Sequence, residues 1–302
     1  MYNLPFDKPG QFYRGNLHTH STASDGSLTP ERVCAKYREA RYDFLALTDH
    51  FLAHYNWPVV DTRPYRAEGF TTLLGAELHT PDDKTEFGDM WHILAVGLPL
   101  DFAPTPPGQT GPQLAQRALD AGAFVAVAHP YWYSLTEADV ISLGDCQAIE
   151  VFNGTSIDHN DRADSWYMLD LMSQRGRHYS ACATDDAHLH AQRADFATGW
   201  VWVKSESLEP DALLDALKAG LYYSSTGPQI HDIRVEANRV TVRCSPAERV
   251  FLTGGLANST SVYGPGITEA SLPLSHIKSP YCRVTVRDAH GGRAWSNPIW
   301  LR

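Results

Sequence analysis

His18-Thr19-His20-Ser21-Thr22-Ala23-Ser24-Asp25-Gly26-Ser27 sets two imidazoles two positions apart and a carboxylate shortly after them. Residues i and i+2 of an extended segment project to the same face, so His18 and His20 can reach one metal ion without rearranging the backbone. A metal site is the first expectation. Further apolar, strand-like runs end in the same residue types. Asp43-Phe-Leu-Ala-Leu-Thr-Asp49-His50 ends in His50, and Thr72-Leu-Leu-Gly75-Ala76-Glu77 ends in Glu77. His92 opens His92-Ile-Leu-Ala-Val-Gly97, His129 closes Ala123-Phe-Val-Ala-Val-Ala-His129-Pro130, and Asp185-Asp186-Ala187-His188 follows Tyr179-Ser-Ala-Cys-Ala-Thr184. Ligands at so many strand ends describe one shared rim.

In that order, His-x-His with Ser-Asp-Gly, Thr-Asp-His, Gly-x-Glu, His-Pro and Asp-Ala-His resemble the PHP (polymerase and histidinol phosphatase) superfamily, from about Tyr13 to Pro228. Gly220-Leu-Tyr-Tyr-Ser-Ser-Thr226-Gly227-Pro228 and Ala294-Trp-Ser-Asn297-Pro298-Ile-Trp resemble its carbaryl-hydrolase-like (CehA/McbA) branch. The resemblance implies an α/β fold, a distorted (β/α)7 TIM-like PHP barrel. It also implies an allotment of ligands: His18, His20, Glu77 and Asp186 for a first cation, Glu77 shared with His92 and His129 for a second, and Asp25, His50 and His188 for a third. The chemistry agrees, because a carboxylate can bridge two cations and an imidazole cannot. Spacing leaves open whether Asp185 or Asp186 points inward; the family pattern favours Asp186, with Asp185 as a cap or orienter.

The residues support that architecture independently. From Asn16 to about Val203, apolar runs alternate with stretches of helical period, the pattern of repeated β-α units. Thr29 and Pro30 open a first helix with Val33, Tyr37 and Ala40 facing inward. Further helices are expected over about Pro112 to Ala121, Asp161 to Gln174 and Glu209 to Ala219, each stopping at or near a glycine. Beyond Gly227-Pro228, short alternating runs (Ile230 to Glu236, Arg239 to Cys244, Arg249 to Thr253, Cys282 to Arg287) predict a small C-terminal antiparallel β-sandwich module. Two domains follow: 1–227, the metallohydrolase barrel, and 228–302, the β module.

Composition excludes several function classes. The formal net charge is −10, and no basic run offers the clustered Lys and Arg that polyanion binding requires, so nucleic acid is not an expected partner. No stretch is apolar enough to span a bilayer, and the opening Met1-Tyr-Asn-Leu-Pro-Phe-Asp-Lys lacks a signal peptide's features. The 5 cysteines are scattered, without a Cys-x-x-Cys, which suits a reduced, cytoplasmic setting.

The expected cofactors are two to three divalent ions, Zn, Mn or Fe. Glu77, His50 and His188 are the expected catalytic residues among the ligands. Arg193 is the candidate substrate-anion contact, with Lys84 behind it. Tyr131, Trp132 and His54 are candidate substrate contacts, His54 also as a proton donor, and the aromatics of these loops suit a planar group. Glu150 or Asp49 can orient a ligand imidazole, and His79 and His190 can act behind the ligands. His159, His178, His231, His276 and His290 read as structural or solvated. The reaction expected is hydrolysis of a small phosphomonoester or phosphodiester by attack of a metal-bridging hydroxide. Hydrolysis of a carbamate, ester or amide is the alternative that the carbaryl-hydrolase-like resemblance implies, and a non-catalytic, metal-stabilised scaffold is the third.

Overall fold

A computed structural model describes residues 3–301. Met1 and Tyr2, part of the N-terminal stretch read above, lie outside the described residues, as does Arg302. In chain order the body comprises β1 (Gln11–Asn16), α1 (Pro30–Glu39), β2 (Phe44–Leu47), β3 (His50–Phe51), β4 (Thr71–Lys84), β5 (Met90–Val96), α2 (Gly111–Asp120), β6 (Phe124–Val127), α3 (Glu137–Ser142), β7 (Ala148–Asn153), α4 (Thr155–His159), α5 (Trp166–Gln174), β8 (Ser180–Thr184), β9 (Trp200–Ser205), α6 (Pro210–Lys218) and β10 (Tyr222–Ser225). There follow β11 (Ile230–Val235), β12 (Arg239–Gly254), β13 (Ser259–Pro273), β14 (Tyr281–Arg287), β15 (Arg293–Ser296) and β16 (Ile299–Trp300).

Local chemistry accounts for the starts of the first three helices. Thr29 accepts from Arg32 N at the head of α1, where Val33, Cys34 and Tyr37 are buried; Ala40 ends the helix as its C-cap. Thr110 and Gln113 form a capping box on α2, and Thr136 and Asp139 another on the unforeseen α3. One boundary differs from expectation. Helix α5 begins at Trp166, not Asp161, because Ala163 O and Ser165 N bond to the backbone of Asn153 and Val151 on β7. Backbone satisfied by a strand edge is not free to coil.

The strands form one sheet in the order β11-β12-β14-β15-β10-β9-β1-β2-β4-β5-β6-β7-β8. This is a mixed α/β fold, but the sheet does not close into the distorted (β/α)7 barrel expected. The pairs β1–β2, β2–β4, β6–β7 and β7–β8 are parallel, whereas β4–β5, β5–β6, β1–β9 and β9–β10 are antiparallel. No backbone ladder joins β8 to β9 or β10. Side chains seal that seam instead: Ser224 Oγ accepts from Ala183 N at 2.9 Å and donates to Ala181 O at 2.7 Å, and Tyr222 OH donates to Ser180 Oγ at 2.7 Å.

After β10 the sheet continues without a break into antiparallel strands. The runs expected as separate strands at 239–244 and 249–253 are one strand, β12, whose register shifts between Arg243 and Ala247 and again between Ala247 and Arg249. Its first half pairs with β11 and its second with β14, so the bulged strand changes neighbours along its length. Val240, Val242, Val250, Leu252, Val284 and Val286 pack into a second cluster, which Leu4 and Tyr223 of the body join. The tail is also fastened to the body. Trp295 joins the main core beside Phe152 and Trp166, and Asn297 bonds Ala181 N, Gly220 O and Tyr222 O. Among the described residues no helix is long and apolar enough to cross a membrane.

Candidate metal centre

The strand alternation that aims apolar side chains into the core aims the polar ligands out at one end of the sheet. His18 and His20 leave β1, and His20 N is held by Ala187 O at 2.9 Å beside the end of β8. Asp49 does not orient an imidazole; it accepts from Ser21 N, Ser21 Oγ and Ser24 Oγ at 2.7, 2.8 and 2.6 Å and so shapes the loop carrying Asp25. Gly26 is required there, since a Cβ would lie 2.6 Å from the backbone carbonyl of His20. His50 sits opposite Glu77 in the β3–β4 register, and His92 on antiparallel β5 enters from the strand's other end.

Glu77 is wholly buried and is the hub. Its Oε1 lies 2.7 Å from His92 Nδ1 and 3.0 Å from His129 Nε2; its Oε2 lies 2.7 Å from His50 Nδ1, 3.5 Å from His18 Nε2 and 3.7 Å from His20 Nε2. Asp186 Oδ1 faces His20 Nε2 at 2.8 Å and His18 Nε2 at 3.3 Å. Asp25, the most exposed of the set, faces His50 Nε2 and His188 Nε2, each at 3.4 Å. Ligand atoms within mutual reach of a cation form the groups His18/His20/Asp186, Glu77/His92/His129 and His20/Asp25/His50/His188. His20 thus borders two groups. Two more, His18/His129/Glu150 and His50/Glu77/His79, draw in residues that the family pattern does not allot.

A divalent cation fits these residues on a physical test. His18 Nε2, His20 Nδ1 and His129 Nδ1 are buried without hydrogen-bond partners, a combination that is costly unless a ligand satisfies it. The electrostatics are frustrated in the same way. Burial together with the nearby His188 and His50 rings pushes His20 down to about 3. At His50, burial opposes charge, but Glu77 and Asp25 outweigh it and raise the ring to about 10. Burial likewise opposes charge on Glu77, yet His92, His50 and His18 hold its carboxyl well below the usual range. Cations would replace this contest of partly protonated imidazoles with direct ligation.

The orienting partners are mostly unexpected. Glu150 Oε1 accepts from His18 Nδ1 at 2.9 Å, as anticipated, while Oε2 accepts from His129 N at 2.6 Å. Asn153 Nδ2 donates to Asp186 Oδ2 at 2.9 Å and to Glu150 Oε2 at 3.2 Å, and its Oδ1 is pinned by Ser156 N and Oγ. His129 and Asp186 both take positive φ, 24° and 50°, and this network holds them there. Asp185 turns away from the site and accepts from Tyr37 OH, Ala197 N, Thr198 N and Oγ1, and Gly199 N. Nothing in the local sequence around Asn153 signalled its reach to Asp186, 33 residues on.

Above the ligands lies a cavity of about 350 Å³. Arg193, His54 and Trp132 line it as expected, joined by Tyr133, Tyr55 and His159. His159, read above as structural or solvated, stacks on Trp132 with centroids 4.7 Å apart. Tyr131 does not line the cavity. The turn closed by Trp132 N to His129 O sends Tyr131 outward, half-exposed beside Phe87 and Tyr167, and Tyr133 takes the inward place against His92. Lys84, at the end of β4, and His190, 6.3 Å from the His188 ring, are not in the lining either. His79 is, wholly buried, with Nε2 2.9 Å from His50 Nδ1.

No family model matches the chain. An uncharacterized protein of Methanocaldococcus jannaschii is 27% identical over 116 residues, 38% of this chain and 45% of that protein. The 5'-3' exoribonuclease Rnm of Escherichia coli is 34% identical over 87 residues, 29% of this chain and 28% of the nuclease. The matched stretches therefore span less than half the length of either curated relative. A crystal structure from Bacteroides vulgatus, of a two-domain protein containing a predicted PHP-like metal-dependent phosphoesterase, superimposes over 94% of both chains with a TM-score of 0.55 at 16% identity. With that protein the chain shares a fold.

Proposed function

We propose that this protein is a metal-dependent hydrolase of the PHP type that cleaves a phosphoester of a small molecule. The observation that carries the reading is Glu77, a buried carboxylate whose two oxygens face two different imidazole groups. His18, His20, Glu77 and Asp186, then Glu77, His92 and His129, then Asp25, His50 and His188 would hold two to three divalent cations. When bound, such ions supply Lewis acidity toward a phosphoryl oxygen and acidify a water, contributions worth several kcal/mol. The chain's own residues do the rest. Glu150 and Asn153 hold His18, His129 and Asp186 in place, and Arg193, His54 and His159 offer donors to an anion's outer oxygens. Trp132 and Tyr133 form a flat wall for an aromatic leaving group and keep bulk water off the ligands. The partial similarity to a nuclease is in keeping with phosphoester chemistry.

The same aromatic wall favours a second reading, attack on the carbonyl of an aryl carbamate or ester, as in the carbaryl-hydrolase-like branch. One panel separates the two. Protein stripped of metal and reloaded with Mn²⁺ or Zn²⁺ is assayed on para-nitrophenyl phosphate, bis-para-nitrophenyl phosphate and 1-naphthyl methylcarbamate. Faster turnover of either phosphate is expected, and carbamate turnover exceeding both would reverse the order. Activity on none of the three with metals bound would favour the scaffold reading. We further propose a division near residue 227, on an apolar cluster drawn mostly from β11–β16, and a reducing compartment, which suits the unpaired buried cysteines.

A further inference from the structure

We propose that His79 is a positioning residue that sets the ring tautomer of His50, and through it the cation affinity of the group Asp25/His50/His188; this rests on the metal-centre reading above. His79 follows Glu77 by two positions on β4 and is wholly buried. Its Nδ1 lies 3.0 Å from the Trp91 carbonyl oxygen. A carbonyl has no proton to give, so the proton of that bond belongs to His79. In the neutral ring Nε2 is then a bare lone pair, and it faces His50 Nδ1 at 2.9 Å. That contact is a hydrogen bond only if His50 carries its proton on Nδ1, which leaves His50 Nε2 free. Nε2 is the nitrogen turned toward Asp25.

Two other ligand rings follow the same rule with ordinary acceptors. His18 Nδ1 donates to Glu150 Oε1, and His188 Nδ1 donates to the Asp186 carbonyl at 2.9 Å. For His50 the acceptor is a second imidazole, itself anchored on Trp91. Glu77 Oε2, 2.7 Å from His50 Nδ1, competes for the same proton. Its lone pairs are also the ones facing the other imidazoles, so with cations bound to Glu77 His79 is the acceptor that remains. Without His79, His50 is free to place its proton on Nε2, where it blocks ligation.

The test is cation binding by the metal-stripped full chain, using Mn²⁺ in titration calorimetry with elemental analysis, and circular dichroism to confirm folding. His79→Ala is expected to weaken one binding equivalent about 10- to 100-fold and to leave the others unchanged. His79→Gln, whose side-chain oxygen can accept from His50 while its amide donates to Trp91, is expected to stay within a few-fold of wild type. In a His50→Ala background, His79→Ala is expected to add no further loss. Equal losses for the Ala and Gln variants would make His79 a ligand itself and overturn the positioning role. Additive losses with His50→Ala, or no loss at all, would overturn it too. If His79→Ala does not fold, His79→Gln decides by the same criterion, a full loss counting against the proposal. Wild-type protein that binds no cation would instead overturn the metal-centre reading.

Discussion

At the scale of single residues, the centre depends on carboxylates placed where only ligation or protonation can reconcile them with burial. Glu77→Gln keeps the volume but replaces one oxygen with an amide that cannot bridge. The expected outcome is loss of at least one metal equivalent in elemental analysis and a fall in turnover of roughly 10³-fold or more, given the size of Lewis-acid contributions. Asn153→Ala tests the support behind the ligands. It removes the donor to Asp186 Oδ2 and Glu150 Oε2 without touching a ligand atom. Metal affinity should fall about 10- to 100-fold, and an unchanged titration would show that Asp186 holds its position unaided. His18 and His20 were readable as a pair because same-face periodicity is a local property. Asn153 was not, since its partner Asp186 lies beyond the end of another strand, β8.

At the scale of elements, the seam between β8 and the β9–β10 pair is the least conventional part of the fold. Side-chain hydrogen bonds from Ser224, Tyr222 and Asn297 replace a backbone ladder there. Asn297→Ala strips three such bonds and leaves Ala181 N, Gly220 O and Tyr222 O without this partner. Its expected cost is about 2 kcal/mol in denaturant unfolding, with metal content unchanged, since the seam lies away from the ligands. A loss of metal without a loss of stability would contradict that assignment. The closing Trp-Ser-Asn-Pro stretch thus acts as a fastener. Its sequence was visible; its target was not, because β8 lies more than a hundred residues earlier.

For the whole molecule, two responses to solution conditions follow. Removing cations with a chelator should lower the melting temperature. Ligands present at about 1,000 times their dissociation constant contribute about 4 kcal/mol to the native state, a shift that differential scanning calorimetry resolves readily. The second concerns alkali. Burial pushes the thiols of Cys34, Cys146 and Cys282 up to about 12 and that of Cys244 up to about 11. Unfolded thiols ionise near about 8.5, so above that pH the native state retains protons that the unfolded chain has lost. Stability from these groups is intact below about pH 8.5, falls as pH rises, and reaches its floor once the folded values near 11 and 12 are passed. Each such group costs at most about 1.4 kcal/mol per pH unit. Midpoints of urea unfolding from pH 7 to 11 check the slope, and a flat profile would mean the thiols are open to solvent.

Sequence alone determined the identities of the candidate ligands, the strand ends that carry them and the starts of α1, α2 and α6. Each of these depends on neighbours within a few positions, through strand alternation, capping and turn chemistry. Tertiary structure decided what depends on approach through space. It decided which face Tyr131 and Tyr133 take, that Asp186 turns inward while Asp185 turns away, and that His79 sits behind His50. It also decided that side chains rather than a ladder close the seam. Such outcomes follow from distances between residues far apart in the chain, as His20 and Asp186 are, 166 positions apart yet 2.8 Å from contact to contact.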